Sequence, residues 1–285
     1  MGTEAYIRTA LITGASNGIG LELTRNLLKE NWEVIGLNRS RFPAQDHLLQ
    51  HAAHTGKLRE YNADLTDFTQ LKRALELMKA KERKVDVIFN NAGASLNELR
   101  YSRQGREMHF DLQTVAPYIV IMEMKELLKQ GELRTVVNTS TSAFTFMKSF
   151  HTEALERPES FKKLFGPYAA TKLALSLWTK ELAPLAAKDG IILRSVDPGG
   201  NNTIREGKNS GLPIYLKLAM KWFFPPPSKG ASLLYDAALG QHGDATGIFL
   251  MKGKVTELKY TDQGRHVLEK VQAIYEEEFK TIHIA

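Results

Sequence analysis

The sequence predicts an α/β protein, a doubly wound parallel sheet of about seven strands with helices on both faces. Two observations predict it. Short β-rich runs alternate with longer stretches of helical period, the pattern of βαβ units. That alternation argues for a parallel sheet covered on both faces. A glycine-rich turn, "TGASNGIG", stands between the first run and the first helical stretch. The 285 residues fit one large domain, taken as residues 1–285, and can bury a substantial core.

The expected strands are Thr9–Thr13, Glu33–Leu37, Lys57–Tyr61, Val85–Phe89, Thr135–Asn138, Ile191–Val196 and Gly247–Leu250, with helices between them. Asn31 follows "LLKE", where a helix must end in a left-handed turn that asparagine tolerates. Three stretches break the rhythm. "FMKSFHTEALERPESFKKLFG" delays a helix and reads as an inserted surface excursion. "EGKNSGLPIYLKLAMKWFFPPPSKG" reads as a loop, an amphipathic helix and a proline stop. The tail "TDQGRHVLEKVQAIYEEEFKTI" reads as a final helix capped by Thr261 or Asp262.

Composition narrows the function classes. Hydrophobic residues at 43% and charged residues at 25% are ordinary for a globular protein. The absence of cysteine removes disulfides, thiol nucleophiles and cysteine-ligated metals, and no metal is expected. It accords with a reducing cytoplasm, the expected location. The amino terminus lacks a signal-peptide pattern, and no apolar run approaches the roughly 20 residues that span a bilayer. The net charge of +6 is spread along the chain without a basic block, so no nucleic-acid partner is expected.

The glycine-rich turn carries the first chemistry. Glycine permits the tight turn and lets the backbone approach a pyrophosphate, which the free N–H groups of the following helix then favour. Gly14, Ser16, Asn17, Gly18, Ile19 and Gly20 are therefore candidate contacts of a dinucleotide in a Rossmann-type sheet. The second strand ends "VIGLNRSRF". Where an NAD-binding fold commonly has an acidic residue for the ribose 2′-hydroxyl, this chain has Asn38, then Arg39 and Arg41. An arginine can pair with a 2′-phosphate that a carboxylate would repel, so NADP(H) is expected in preference to NAD(H), with Arg39 as its contact.

With "TGASNGIG", "NNAG" ending at Gly93, "YAATK" from Tyr168 to Lys172 and "DPGGNNT" from Asp197 to Thr203, all in order and register, the chain resembles the short-chain dehydrogenase/reductase family from roughly Arg8 to Met251. The resemblance implies Asp64 and Leu65 beside the adenine. It implies Asn91, Ala92 and Gly93 against the adenosine half, and Pro198, Gly199 and Thr203 at the nicotinamide end. It makes Tyr168 and Lys172 the catalytic pair, also in contact with the cofactor. Lys172 lies one helical turn after Tyr168, on the same face. Its ammonium charge is expected to lower the phenol pKa from the usual value of about 10, so that Tyr168 can act as general acid and base.

Two positions depart from the family pattern. Where a catalytic serine is expected stands Thr141, whose hydroxyl remains but whose methyl stiffens the rotamer. Ser142 takes the role instead if a bulge intervenes. Where the family has an asparagine whose main-chain carbonyl holds a relay water, this chain has Gln113. Pro117, four residues on, has no N–H to occupy that carbonyl, so the relay is expected to survive.

The segment at about 204–228, with Tyr215, Trp222 and Phe223, reads as a lid over an apolar carbonyl or alcohol substrate. Lys217 and Lys221 leave open an amphipathic helix on a membrane surface, a contact the reading does not favour. The insertion is similar in length to those of reductases acting on retinoid-like substrates. Relatives often pair through the long helices after the fourth and fifth strands, which implies a homodimer or homotetramer. The leading reading is an NADP(H)-dependent oxidoreductase interconverting a carbonyl and an alcohol. The alternative is a catalytically idle dinucleotide-binding protein that senses redox state or binds a partner.

Overall fold

The computed structural model describes residues 6–200 and 225–284. Seven parallel strands and one antiparallel strand form a single sheet in the order β3-β2-β1-β4-β5-β6-β7-β8. They are β1 (Thr9–Thr13), β2 (Glu33–Asn38), β3 (Leu58–Asn62), β4 (Val87–Asn90), β5 (Thr135–Thr139), β6 (Ile192–Asp197), β7 (Ile248–Met251) and β8 (Lys254–Thr256). Each expected strand is present, with ends shifted by a residue or two. The eighth was not expected. It is only three residues long and exposed, and it pairs with β7 through a two-residue turn with Lys252 at φ 53° and Gly253 at φ 74°. Two consecutive left-handed residues are what a tight hairpin needs.

The helices are α1 (Gly18–Lys29), α2 (His47–His54), α3 (Phe68–Lys81), α4, α5 (Pro167–Ala187), α6 (Pro227–Leu239) and α7 (Gly264–Ala273). Helix α4 has three parts: a turn at Met108–Phe110, a π-helical stretch at Asp111–Val115 and a regular helix at Ala116–Lys129. Helix α7 continues as a π-helical stretch, Ile274–Phe279. No helix among the described residues is long and apolar enough to cross a membrane.

Successive side chains of a strand face opposite sides, and the core divides accordingly. Leu11, Ile35, Ile88, Val136 and Leu193 meet α3, α4, α5 and α7 on one face. Ile12, Val34, Phe89, Val137 and Val196 meet α1, α2 and α6 on the other. Strand β1 pairs with both β2 and β4, so the chain reverses direction across the sheet there. That switch point opens a crevice at the carboxyl ends of the strands.

Asn31 has φ 66°, as its place after α1 requires. Two other expectations are corrected. The insertion is not merely a surface excursion, because Phe150 and Leu155 are buried in the main core and Glu107 N–H bonds to Glu156 O at 2.8 Å. Its apolar residues sit among charged ones without helical period, which hid their burial. The final helix is not capped by Thr261 or Asp262. A short turn, Thr261–Gln263, precedes α7 and no side chain caps it. Helix α7 lies over α5, where a Cβ on Gly264 would meet the Glu181 side chain at 2.8 Å, and Tyr275 beyond it stands edge-on to Tyr118 of α4 at 5.9 Å. Thr203 and residues 204–224 of the expected lid lie outside the described residues.

Candidate active site

The glycine-rich turn leaves β1 at Gly14, which has φ 68°, and enters α1 at Gly18, which has φ 54°. Both values lie where a side chain would be strained. The "NNAG" segment braces this turn from β4. Asn91 Nδ2 donates to Thr13 O at 3.2 Å and Gly14 O at 3.3 Å, and Ala92 N–H donates to Thr13 Oγ1 at 3.0 Å. A Cβ on Gly14 would stand 3.1 Å from Ala92 Cα, and one on Gly20 would press on Gly14 O and the Asn91 amide. Asn91 and Ala92 thus brace the glycine-rich turn in this structure. Asn17 precedes α1 in extended backbone and its side chain does not cap the helix; among the described residues no side chain takes the first-turn N–H groups, which are therefore suited to an outside acceptor. Ser16 is buried and accepts from Asn17 Nδ2 at 3.3 Å; Ile19 is half-buried.

At the end of β2, Asn38 Oδ1 accepts the Ala15 N–H at 2.6 Å, so this side chain supports the turn. Arg39 is 66% exposed and stands 3.6 Å from the Asp64 carboxylate, a loose surface pair of small energy. Asp64 Oδ1 also accepts from Thr66 N–H and Oγ1–H, and Leu65 is buried in the core. Pro198 is buried at the exit of β6, and Gly199, at φ 75°, donates its N–H to Asp197 Oδ1 at 3.0 Å.

The hydroxyl-bearing end of the candidate site forms where β5 meets α5. The four hydroxyls after Asn138 are divided by backbone geometry. Thr139 ends the strand. Ser140 is buried and ties β5 to α5, donating to Lys172 O at 3.1 Å and lying 2.7 Å from Ser176 Oγ. Thr141 is extended, at φ −158° and ψ 152°, and heads a 3₁₀ turn, Ser142–Phe146, in which its Oγ1 accepts the Ala143 N–H. Its hydroxyl also lies near enough to the Tyr168 phenol to draw that group's pKa down. Ser142 lies within the turn, where its carbonyl accepts from Thr145. The structure brings Thr141 to Tyr168.

Burial pushes the Tyr168 phenol up from its ordinary value; the Thr141 hydroxyl opposes this and the Asp197 charge adds to it. Lys172 is 3% exposed, and burial lowers its ammonium to about 7. Its Nζ donates to Thr139 O at 2.5 Å. The expectation that Lys172 lowers the Tyr168 pKa is therefore not met in this arrangement, because the ammonium turns to a strand carbonyl and is itself desolvated. Asp197 entered the sequence reading only as part of a turn motif, and no spacing signal marked its charge as facing Tyr168.

Gln113 sits in the π-helical stretch. Its amide donates to Thr171 Oγ1 at 2.8 Å and Tyr168 O at 3.3 Å, while its Oε1 is buried without a partner among the described residues. That oxygen lies 3.4 Å, and Lys172 Nζ 3.6 Å, from where a Cβ on Gly93 would stand. An orphaned buried acceptor, an ammonium and a glycine face one space. The groups present fit a hydroxylated, phosphate-bearing cofactor laid from the glycine-rich turn to Lys172.

A model described as short chain dehydrogenase matches residues 8–210. A polyprenol dehydrogenase of Danio rerio is 27% identical over 260 residues, covering 88% of this chain and 80% of the relative. Retinol dehydrogenase 12 of Mus musculus is 28% identical over 238 residues, covering 82% and 74%. Among solved structures, the Pseudomonas aeruginosa RhlG/NADP complex is similar in fold, with TM-score 0.65 at 21% identity over 86% of this chain and 95% of that one. The chain belongs to the short-chain dehydrogenase/reductase family.

Proposed function

We propose that the protein is an NADP(H)-dependent oxidoreductase interconverting a carbonyl and an alcohol on an apolar small molecule, with Tyr168 as general acid and base. One observation carries this reading: the Thr141 hydroxyl faces the Tyr168 phenol at the exit of β5, one helical turn from the buried Lys172. A bound nicotinamide supplies the hydride chemistry, which no side chain of this set can perform. The phenol, raised by burial, is protonated at neutral pH and gives its proton to a carbonyl oxygen during reduction; in the reverse direction the same atom takes the proton back. Thr141 donates a hydrogen bond to that oxygen and orients it. Lys172 and Gln113 Oε1 would hold the ribose hydroxyls, with room left by Gly93. Arg39 would meet the 2′-phosphate, with no carboxylate at Asn38 to repel it.

An apolar substrate is supported at the rim. Phe146 ends the turn begun after Thr141 and is 74% exposed; Phe165, three residues before Tyr168, is 46% exposed. Their rings stand edge-on at 5.9 Å. Exposed aromatic side chains on the segments that carry Thr141 and Tyr168 suit an extended apolar chain. The relatives named for polyprenol and retinol agree with it. We take the described elements as one domain, with the segment at about 204–228 as a lid. No observation favours the idle reading, and the relatives are named as dehydrogenases.

The test is Tyr168→Phe, assayed by loss of NADPH absorbance on a panel of extended apolar aldehydes and ketones. Turnover is expected to fall about 10²–10⁴-fold, with dinucleotide affinity by calorimetry unchanged. Full residual turnover refutes the role.

A further inference from the structure

Behind the candidate acid lies a buried pair, Glu107 and His109, that the proposed chemistry does not use. His109 belongs to the opening turn of α4, one helical turn before Gln113. Its ring is 1% exposed and Glu107 is 0% exposed. His109 Nδ1 lies 2.7 Å from Glu107 Oε1, and Nε2 lies 3.2 Å from the Leu96 N–H. A backbone N–H only donates, so Nε2 carries its lone pair. The one proton of the neutral ring is then on Nδ1 and points at the carboxylate. Glu107 Oε2 accepts the Phe110 N–H at 3.0 Å, which leaves both carboxylate oxygens bonded despite their burial.

The ring joins three segments of the site. Its edge contact with the Tyr168 ring has centroids 5.9 Å apart at 81°. Phe161 of the insertion stacks on it at 6.5 Å and 20°. Leu96 lies three residues after Gly93, on the loop leaving β4. Aromatic contacts of this geometry fix ring positions, and a bonded Nε2 fixes the loop.

We propose that His109, held in one tautomer by Glu107, is a positioning residue whose ring walls the Tyr168 phenol and whose Nε2 fastens the loop after Gly93. The purpose assigned to this positioning rests on the reading of Tyr168 as the acid. Two substitutions divide the two duties. His109→Phe keeps a ring beside Tyr168 and removes the acceptor. His109→Gln keeps an acceptor oxygen near the place of Nε2 and removes the ring.

Amide hydrogen exchange at Leu96 and acetylation of Tyr168 by N-acetylimidazole, read by peptide mass spectrometry on the full cofactor-free chain, report the two duties without turnover. His109→Phe is expected to speed Leu96 exchange about tenfold, the loss of one hydrogen bond, and to leave Tyr168 acetylation at the wild-type rate. His109→Gln is expected to do the reverse, and to lower kcat with KM little changed. A residue that merely fills space would move both readouts together, and that outcome, or no change in either, overturns the proposal. Should the buried carboxylate prevent His109→Phe from folding, Glu107→Gln with His109→Phe removes the charge and carries the same readouts. If the divided pattern appears but the wild type reduces no carbonyl, the positioning stands and the functional reading falls.

Discussion

Thr141 and Ser142 differ by one methyl and one position, yet only Thr141 faces Tyr168. Its extended backbone places the hydroxyl before the 3₁₀ turn tightens, while Ser142 is already inside that turn. Thr141→Val is expected to lower turnover by about 10²-fold, the scale for losing one donor to a developing oxyanion. Ser142→Ala is expected to leave it within a few-fold. Steady-state rates on one substrate compare them; the opposite order would return the role to Ser142. Arg39 offers a second residue-scale test. It is exposed and only loosely paired with Asp64, so it is free to turn to a phosphate. Arg39→Asp is expected to weaken NADPH at least tenfold and spare or improve NADH, by fluorescence titration. An unchanged preference defeats the assignment.

At the scale of elements, α4 shows how a single residue type redirects a helix. Pro117 has no N–H for the carbonyl of Gln113, and the helix widens over Asp111–Val115, where Ala116 N–H bonds Asp111 O. The missing N–H of Pro117 marked a freed carbonyl in the sequence; the fold answers with a π-helical stretch. The Gln113 side chain then bridges α4 to the start of α5 through Tyr168 O and Thr171. Gln113→Asn is one methylene shorter and cannot reach both partners. Turnover is therefore expected to fall several-fold without rising. An acceleration by orders of magnitude would show that the family asparagine supplies what this chain lacks.

For the whole molecule, burial of Lys172 ties stability to pH. Its folded value is lowered to about 7 from an ordinary 10.5. Below about pH 7 the ammonium is charged in both states and its burial penalty is felt in full. Between about 7 and 10.5 the unfolded chain holds a proton that the folded chain has released, so raising pH favours folding. The cofactor-free wild type should therefore gain Tm relative to Lys172→Met as pH rises from 7 toward 9, by differential scanning fluorimetry. Parallel curves would mean that Lys172 is not desolvated. Helix α7 and Tyr275 lie across α4 and α5, the helices whose pairing the family resemblance implies.

Local chemistry was enough for much of this protein. The apolar runs had to be strands covered twice, because each offers side chains to both faces of a sheet. The glycines of "TGASNGIG" had to turn, because only they tolerate φ 68° and 54° at low cost. Tyr168 and Lys172 shared a face through helical period alone. Tertiary structure decided what contacts between distant segments decide. Lys172 found Thr139 O and lost water, which lowered its own pKa and left the Tyr168 phenol raised. Thr141 was chosen over Ser142 by where a strand ends against α5. His109 gained its place beside Tyr168 from elements 59 residues apart in the chain. Hydrogen-bond partners and desolvation depend on which segments meet, and a linear pattern carries neither.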